Sequence, residues 1–338
     1  MRVTTRDIAL RAGVSQSTVS VVLSNNRKIS ISEQTRAHVI RIAEEMGYRG
    51  RSRHTEDAKQ IVIGVMVPTL SNLYYPALIQ KIQIHARQLG VTVVLQNTLR
   101  SLDGEMESFR YLQSIGAKGV LCLLTPKTPV PSDLPAVVIG EEFPDMTLDT
   151  VSLNSFAAGQ LAGEHLLSLG HRKIAYISTP FSVTTDARRK RMEGLLDAMS
   201  KEGVADDLVV YADDHENERI DSTYEFDCGC RLTQKLLDEH ADVTAIVAVN
   251  DMTAMGCISV LNQNNIPVPE KMAVCGFDNL WFSGLSQPQL TSVDQMAFHG
   301  CQVGLSMLLD KINHNENGEL PVVMEYKPRL YVRKSTQR

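Results

Sequence analysis

The chain has 338 residues, of which 43% are hydrophobic and 22% charged, and a net charge of −5. That length exceeds what one hydrophobic core usually serves, so at least two domains are expected. No run of about 18 apolar residues is present to span a bilayer, and Arg2, Arg6, Asp7 and Arg11 stand where a secretory signal would be apolar, so a cytoplasmic protein is expected.

Six cysteines in so long a chain do not make a disulfide framework, and Cys228-Gly229-Cys230 lacks the second ligand pair of a zinc site. Reduced thiols are expected, with no metal and no cofactor. The charge is unevenly spread. Residues 1–53 carry ten Lys and Arg against four Asp and Glu (+6), and the remainder carries 24 against 35 (−11). A basic head on an acidic body predicts a polyanionic partner for the head alone.

In chain order, Thr4-Thr5-Arg6-Asp7 reads as a capping box, which predicts a helix from residue 5. Ile8, Ala9 and Ala12 lie on its inner face, and Gly13 stops it by permitting the left-handed turn. Ser15 caps a second helix over 16–23, with Val19, Val22 and Leu23 expected inward and Gln16, Ser17, Ser20 and Val21 outward. Ser32 opens a third, with Val39, Ile42, Ala43 and Met46 at helical spacing, closing at Gly47-Tyr48.

Two short helices about a glycine turn suit a structural hairpin as well as a DNA-binding unit. The ordered residues decide between them. Val3 through Ala9, Ala12-Gly13-Val14-Ser15 and Thr18-Val19-Ser20, followed by Ser32, Thr35-Arg36, Val39 and Gly47-Tyr48, resemble the headpiece of the lactose/galactose repressor (LacI/GalR) family. The resemblance implies that residues 1–48 form a helix-turn-helix domain whose partner is double-stranded operator DNA. It places base-reading contacts on Gln16, Ser17 and Val21, and phosphate contacts on Thr4, Ser15, Thr18, Ser20 and Asn25.

The linker, residues 49–60, departs from the family. No leucine stands where the family's hinge helix would wedge one into the minor groove, and Arg49, Arg51 and Arg53 alternate with small residues instead. A basic arm along the phosphates and a plain solvated linker both fit this composition.

From residue 61, apolar runs alternate with amphipathic helical stretches: Ile61–Val67, Val91–Gln96, Gly119–Leu124 and Ala136–Ile139, then Lys173–Ile177, Val209–Tyr211, Ala245–Val249 and Ala273–Gly276. Two such sets predict an α/β body of two doubly wound lobes with parallel sheets. The stretches Asn72-Leu73-Tyr74-Tyr75, Gly170-His171-Arg172-Lys173, Arg191-Met192-Glu193-Gly194, Asn250-Asp251-Met252-Thr253 and Gly276-Phe277-Asp278-Asn279 resemble the sensing core of the same family, itself similar to periplasmic sugar-binding proteins.

By that resemblance residues 61–338 bind effector and dimerise, and the chain crosses between lobes near 153, 292 and 324. Lobe 1 then holds about 61–153 and 292–324, and lobe 2 about 154–291 and 325–338. The family's effector contacts fall on Tyr74, Tyr75, Arg191, Asn250 and Asp278, chemistry suited to a small polyhydroxylated ligand. Trp281 reads either as a stacking lid or as a packed loop aromatic.

Three features stand apart. Leu153-Asn154 replaces the family's Asp-Asn pair, and Asp213–Asp227, with seven carboxylates, reads as a solvated insertion that could disfavour anions near the cleft. The run Arg188-Arg189-Lys190-Arg191 pulls the other way, although a helix can turn only one or two of these cations to a ligand. The effector is read as an uncharged sugar, the alternatives being a nucleobase or a phosphorylated compound. The sequence contains no Walker loop, HExxH helix or Gly-x-Ser-x-Gly elbow, so no enzyme is expected, a hidden hydrolase or a non-regulatory binding protein being the rival readings. Without leucine heptads at its end, the chain is expected to form a homodimer and not a tetramer.

Overall fold

The computed structural model describes residues 3–23, 31–46, 61–141, 147–181, 186–214, 222–314 and 320–337. The linker, the Gly47-Tyr48 close of the third helix, Asn25 with its loop, and residues 215–221 of the acidic segment lie outside them. The chain divides into two compact units, Met1–Lys59 and Gln60–Arg338.

The first unit holds three helices, α1 (Thr5–Ala12), α2 (Gln16–Leu23) and α3 (Glu33–Glu45). Thr4 and Asp7 form the capping box, with the Asp7 amide on Thr4 Oγ1 and the Thr4 amide on Asp7 Oδ2. Gly13 adopts φ +64°, and its N–H closes α1 on the Ala9 carbonyl. Ser15 and Ser32 cap the next two helices through the amides of Thr18 and Thr35. Ile8, Ala9, Ala12, Val19, Val22, Val39, Ile42 and Ala43 make the core. Leu23, expected inward, is 36% exposed, because the last residue of α2 lies past the end of this small core.

The second unit runs β1 (Val62–Val67), α4 (Tyr74–Gln88), β2 (Thr92–Asn97), α5 (Leu102–Ser114), β3 (Gly119–Cys122), β4 (Ala136–Gly140) and β5 (Asp149–Ser152) through the first lobe. It continues with α6 (Ser155–Ser168), β6 (Ile174–Ser178), α7 (Asp186–Lys201), β7 (Leu208–Ala212), α8 (Tyr224–Glu239), β8 (Ala245–Ala248), α9 (Asp251–Gln263), β9 (Ala273–Phe277) and β10 (Thr291–Asp294) in the second. The helix α10 (Ala297–His314) and the short strands β11 (Val323–Glu325) and β12 (Arg329–Tyr331) complete it.

One sheet has the order β11-β5-β4-β3-β1-β2 and the other β12-β10-β9-β8-β6-β7. Among the described residues all pairings are parallel except β10 with β12. The strands β3, β4, β5, β6, β8 and β9 are buried along their whole length because helices cover both faces, and all of these but β5 read as continuous apolar runs. The crossings follow β5, β10 and β11; β10 pairs with β9, so the second crossing comes after Asp294, slightly beyond residue 292.

Within lobe 2, α6 and α7 pack backbone against backbone. A Cβ on Gly159 would lie 1.9 Å from the Arg191 carbonyl oxygen, and one on Gly194 would lie 2.0 Å from that of Phe156. This close approach seats Arg191 against the end of the second sheet.

Candidate functional site

On the first unit, α2 presents exposed Gln16 and Ser20, with Thr18 and Val21 partly covered. Gln16 Nε2 donates to Thr5 Oγ1 at 3.1 Å, so α1 orients this amide. Ser15 and Thr18 are linked through their hydroxyls at 2.8 Å, and exposed Thr4 is held by Asp7. Hydrogen bonds from the Thr4 side chain and backbone hold the Asp7 carboxyl below the usual range. The predicted residues from Thr4 to Val21 thus fall on α2 and the caps of α1 and α2. Ser17 belongs to α2.

On the second unit, Asn72, Tyr74, Tyr75, Arg100 and Leu124 from lobe 1 face Ala187, Arg188, Arg191, Glu225, Val249, Asn250 and Asp278 from lobe 2 across a cleft of about 460 Å³, part of it open to solvent. Most of these follow the C-terminal ends of strands, where an open parallel sheet offers its ligand crevice.

Arg191 is the centre of this wall. Its guanidinium donates to the Val249 carbonyl and to Gln295 Oε1, lies 3.6 Å from Asp278 Oδ1 and covers the Phe277 ring at 4.7 Å. Its Nε is buried without a hydrogen-bond partner among the described residues. Asp278 sits at φ +98°, a conformation costly for a residue with a Cβ and typical of sites where function fixes the backbone. Burial raises its carboxyl to about 7, although Arg191 pulls it down; Asp251 adds to the rise.

Asp251, the first residue of α9, is fully buried and holds the site's floor. It accepts from Ser292 Oγ, Ser283 Oγ and the Leu280 amide, which fixes the loop after Asp278. Asn250 caps α9 by accepting from the Thr253 amide at 2.9 Å. One lone pair of its carbonyl is thereby engaged, while its amide nitrogen remains to serve a ligand. Tyr74 and Tyr75 meet edge to face at 5.2 Å. Burial raises both phenols above their ordinary range, which keeps them neutral hydrogen-bond donors.

The cleft thus brings together five of the six predicted contacts. Trp281 does not join them. It lies in a short 3-10 turn, Trp281–Gly284, and is 71% exposed, because the Leu280 and Ser283 anchors on Asp251 turn the loop away from the cleft. It does not line the cleft in this structure, and its ring meets that of Phe282 edge to face at 5.8 Å.

Sequence reasoning missed Arg100, Glu225 and the hinge residue Gln295, and singled out Asn72 and Arg188 only as members of longer stretches. Of the cation run, Arg188 and Arg191 face the cleft, as a spacing of three on a helix requires, while Lys190 pairs with Glu141 Oε2 at 3.3 Å. The acidic segment is not simply solvated. Asp213 is buried against Arg231 and the Tyr224 hydroxyl, and Glu225 is buried in the cleft wall. Their place at the end of β7 and the start of α8 was the signal available.

Among the described residues no group of three or more His, Cys, Asp and Glu could hold a metal ion, and no helix is long and apolar enough to cross a membrane. Residues 4–50 match the model of bacterial regulatory proteins of the lacI family, and residues 164–336 that of a periplasmic binding protein-like domain. The HTH-type transcriptional repressor PurR of Proteus mirabilis is 30% identical, over 98% of this chain and 96% of its own. The lac repressor dimer bound to operator and an anti-inducer has the same fold, with a TM-score of 0.76, 22% identity and full coverage of both chains. The complex of the transcriptional regulator CelR with cellobiose gives a TM-score of 0.68 and 25% identity over 99% of this chain and all of the other.

Proposed function

The chain belongs to the LacI family and is a ligand-controlled, DNA-binding transcriptional regulator, and within that role we propose that it is a dimeric repressor whose operator affinity is set by an uncharged sugar bound between its two lobes. The observation that carries the ligand class is the convergence of Arg191, Asp278, Asn250 and two neutral tyrosines on one cleft. Arg191 and the Asn250 amide donate, Asp278 accepts from two hydroxyls, and the tyrosines supply an aromatic wall with polar tips. The regulator CelR, of similar fold, was solved in complex with cellobiose, which supports a sugar as the ligand class.

In this reading α2 enters the major groove. Gln16 and Ser17 read base edges, Val21 packs on a thymine methyl, and Thr4, Ser15, Thr18, Ser20 and Asn25 hold the backbone. A head of this size binds weakly alone, so two copies read two half-sites. The regulator acts in the cytoplasm, where its DNA is, and no residue is assigned a catalytic role. Closing the lobes on ligand alters the heads' operator affinity only as far as the ligand prefers the closed state, and DNA alters ligand affinity by the same factor.

Thermal denaturation of the full chain against a library of sugars, sugar phosphates and nucleobases tests the ligand class. An uncharged sugar is expected to raise the Tm of the wild type and to leave Arg191→Ala and Asp278→Ala unmoved. A phosphorylated compound or a nucleobase as the sole hit would replace the sugar reading.

A further inference from the structure

Among the described residues, side chains join the lobes near the hinge, where Lys190 of lobe 2 also pairs with Glu141 of lobe 1, and again across the cleft. At the hinge, Gln295 Nε2 donates to the Leu153 carbonyl at 2.8 Å and to Ser155 Oγ at 3.0 Å, while Glu141 Oε1 accepts from the Ser155 amide at 3.2 Å. These bonds cluster where the chain passes between sheets, beside β5, β11, β10 and β12 at one edge of each. The second place is at the other edge. Asn72, in the loop after β1, donates from Nδ2 to Glu225 Oε1 at 3.0 Å, and Glu225 begins α8, which follows β7, the outermost strand of the second sheet.

Both partners are held in place. Asn72 Oδ1 accepts from the Tyr74 amide at 2.8 Å, so the side chain is locked by the start of α4. The end of α8 that carries Glu225 is tied to β7 through Tyr224 and Arg231 on buried Asp213. The bond is buried, with Glu225 only 8% exposed, and its acceptor is a carboxylate, which makes it stronger than a neutral pair. Because it lies across the cleft from the hinge, rotation of one lobe away from the other separates these two residues more than any pair beside the crossings.

We propose that Asn72 and Glu225 form a clasp that holds the two lobes together in the ligand-free regulator and sets the population of the closed state from which the effector works. A clasp of this kind makes closure partly independent of ligand, so its removal lowers effector affinity by the fraction of closed protein lost.

Double electron–electron resonance tests this on the full-length, ligand-free chain, with ketone-linked spin labels at exposed Gln88 of lobe 1 and Asp238 of lobe 2, and labelled chains diluted into an excess of unlabelled ones. Asn72→Ala and Glu225→Ala are expected to shift the distance distribution away from that of the wild type, toward the open arrangement. Glu225→Gln, which keeps the acceptor, is expected to retain the wild-type distribution. Asn72→Asp keeps the oxygen that caps α4 but sets a carboxylate against Glu225, and is expected to open the lobes at least as far as Asn72→Ala. Cooperative thermal unfolding of each variant shows that it folds, and Asn72→Asp serves if Asn72→Ala does not. Because no effector is added, the result does not depend on the sugar reading. Wild-type distributions in the Ala and Asp variants, or an open Glu225→Gln, would overturn the proposal.

Discussion

In the headpiece, the residues that fix the geometry are near neighbours in the chain: Thr4 with Asp7, Ser15 with Thr18, Ser32 with Thr35. In the cleft they are not. Arg191 meets Gln295 from 104 positions away, and Asn72 meets Glu225 from 153. A reading head made of local caps tolerates change one residue at a time, whereas a cleft assembled by packing can be lost through a residue that never touches the ligand. Substitutions should therefore act most strongly where backbone packing positions the cleft, and least on the reading face.

The largest effect is expected from Gly159→Ala. Its methyl group would press on the Arg191 carbonyl from 1.9 Å, and α6 and α7 can relieve this only by separating. A loss of about 3 kcal/mol in urea unfolding of the body, at the upper end of the usual overpacking cost, should accompany loss of the effector response. A loss below about 1 kcal/mol, with the response intact, would show that the helix contact does not seat Arg191.

The pH dependence of effector binding comes next. Burial raises Asp278 to about 7, so below that pH the carboxyl is increasingly protonated and a ligand hydroxyl must compete with the proton. Effector affinity should be level above about pH 8 and fall by up to about tenfold per pH unit well below 7. Calorimetric titration across this range checks the claim; Asp278→Asn should bind weakly at every pH, and a wild-type affinity that rises on acidification would contradict it.

The same contrast explains what was legible in the chain. The three headpiece helices, their N-caps and the Gly13 turn follow from hydroxyl, carboxylate and glycine placement over a few residues, so the helix starts were readable. The strands that fill each sheet were readable as apolar runs. Residues 149–152, 291–294, 323–325 and 329–331 were not, because crossing and edge strands carry polar or exposed side chains. In the cleft, Arg191, Asp278, Asn250 and the tyrosines were found through resemblance. Glu225 was not: its burial depends on Asn72 and on the Asp213 anchor, neither of which lies in its own local pattern.

Smaller effects belong to the headpiece. Gly13→Ala adds a methyl group with nothing within 4 Å, so only the φ of +64° penalises it. A loss of about 1 kcal/mol is expected in the unfolding transition of the headpiece, followed by circular dichroism. A much larger loss would mean that the turn is also packed. Smaller still is Val21→Ala, which should relax base preference at one symmetric operator position by about 1 kcal/mol or less, measured by competition among single-base operator variants. A uniform weakening at all positions would assign Val21 to helix stability instead of base reading.

The central claim, that occupancy of the cleft governs the reading head, is tested most directly by measuring operator affinity with and without effector in the wild type and in Arg191→Ala. The operator is the one selected by the purified chain from random duplexes, and the effector is the compound that raises its Tm. The wild type should change its operator affinity on adding effector, while Arg191→Ala should bind with the ligand-free affinity throughout. An Arg191→Ala regulator that still responds as the wild type does, or one that no longer binds operator in the absence of effector, would contradict the account.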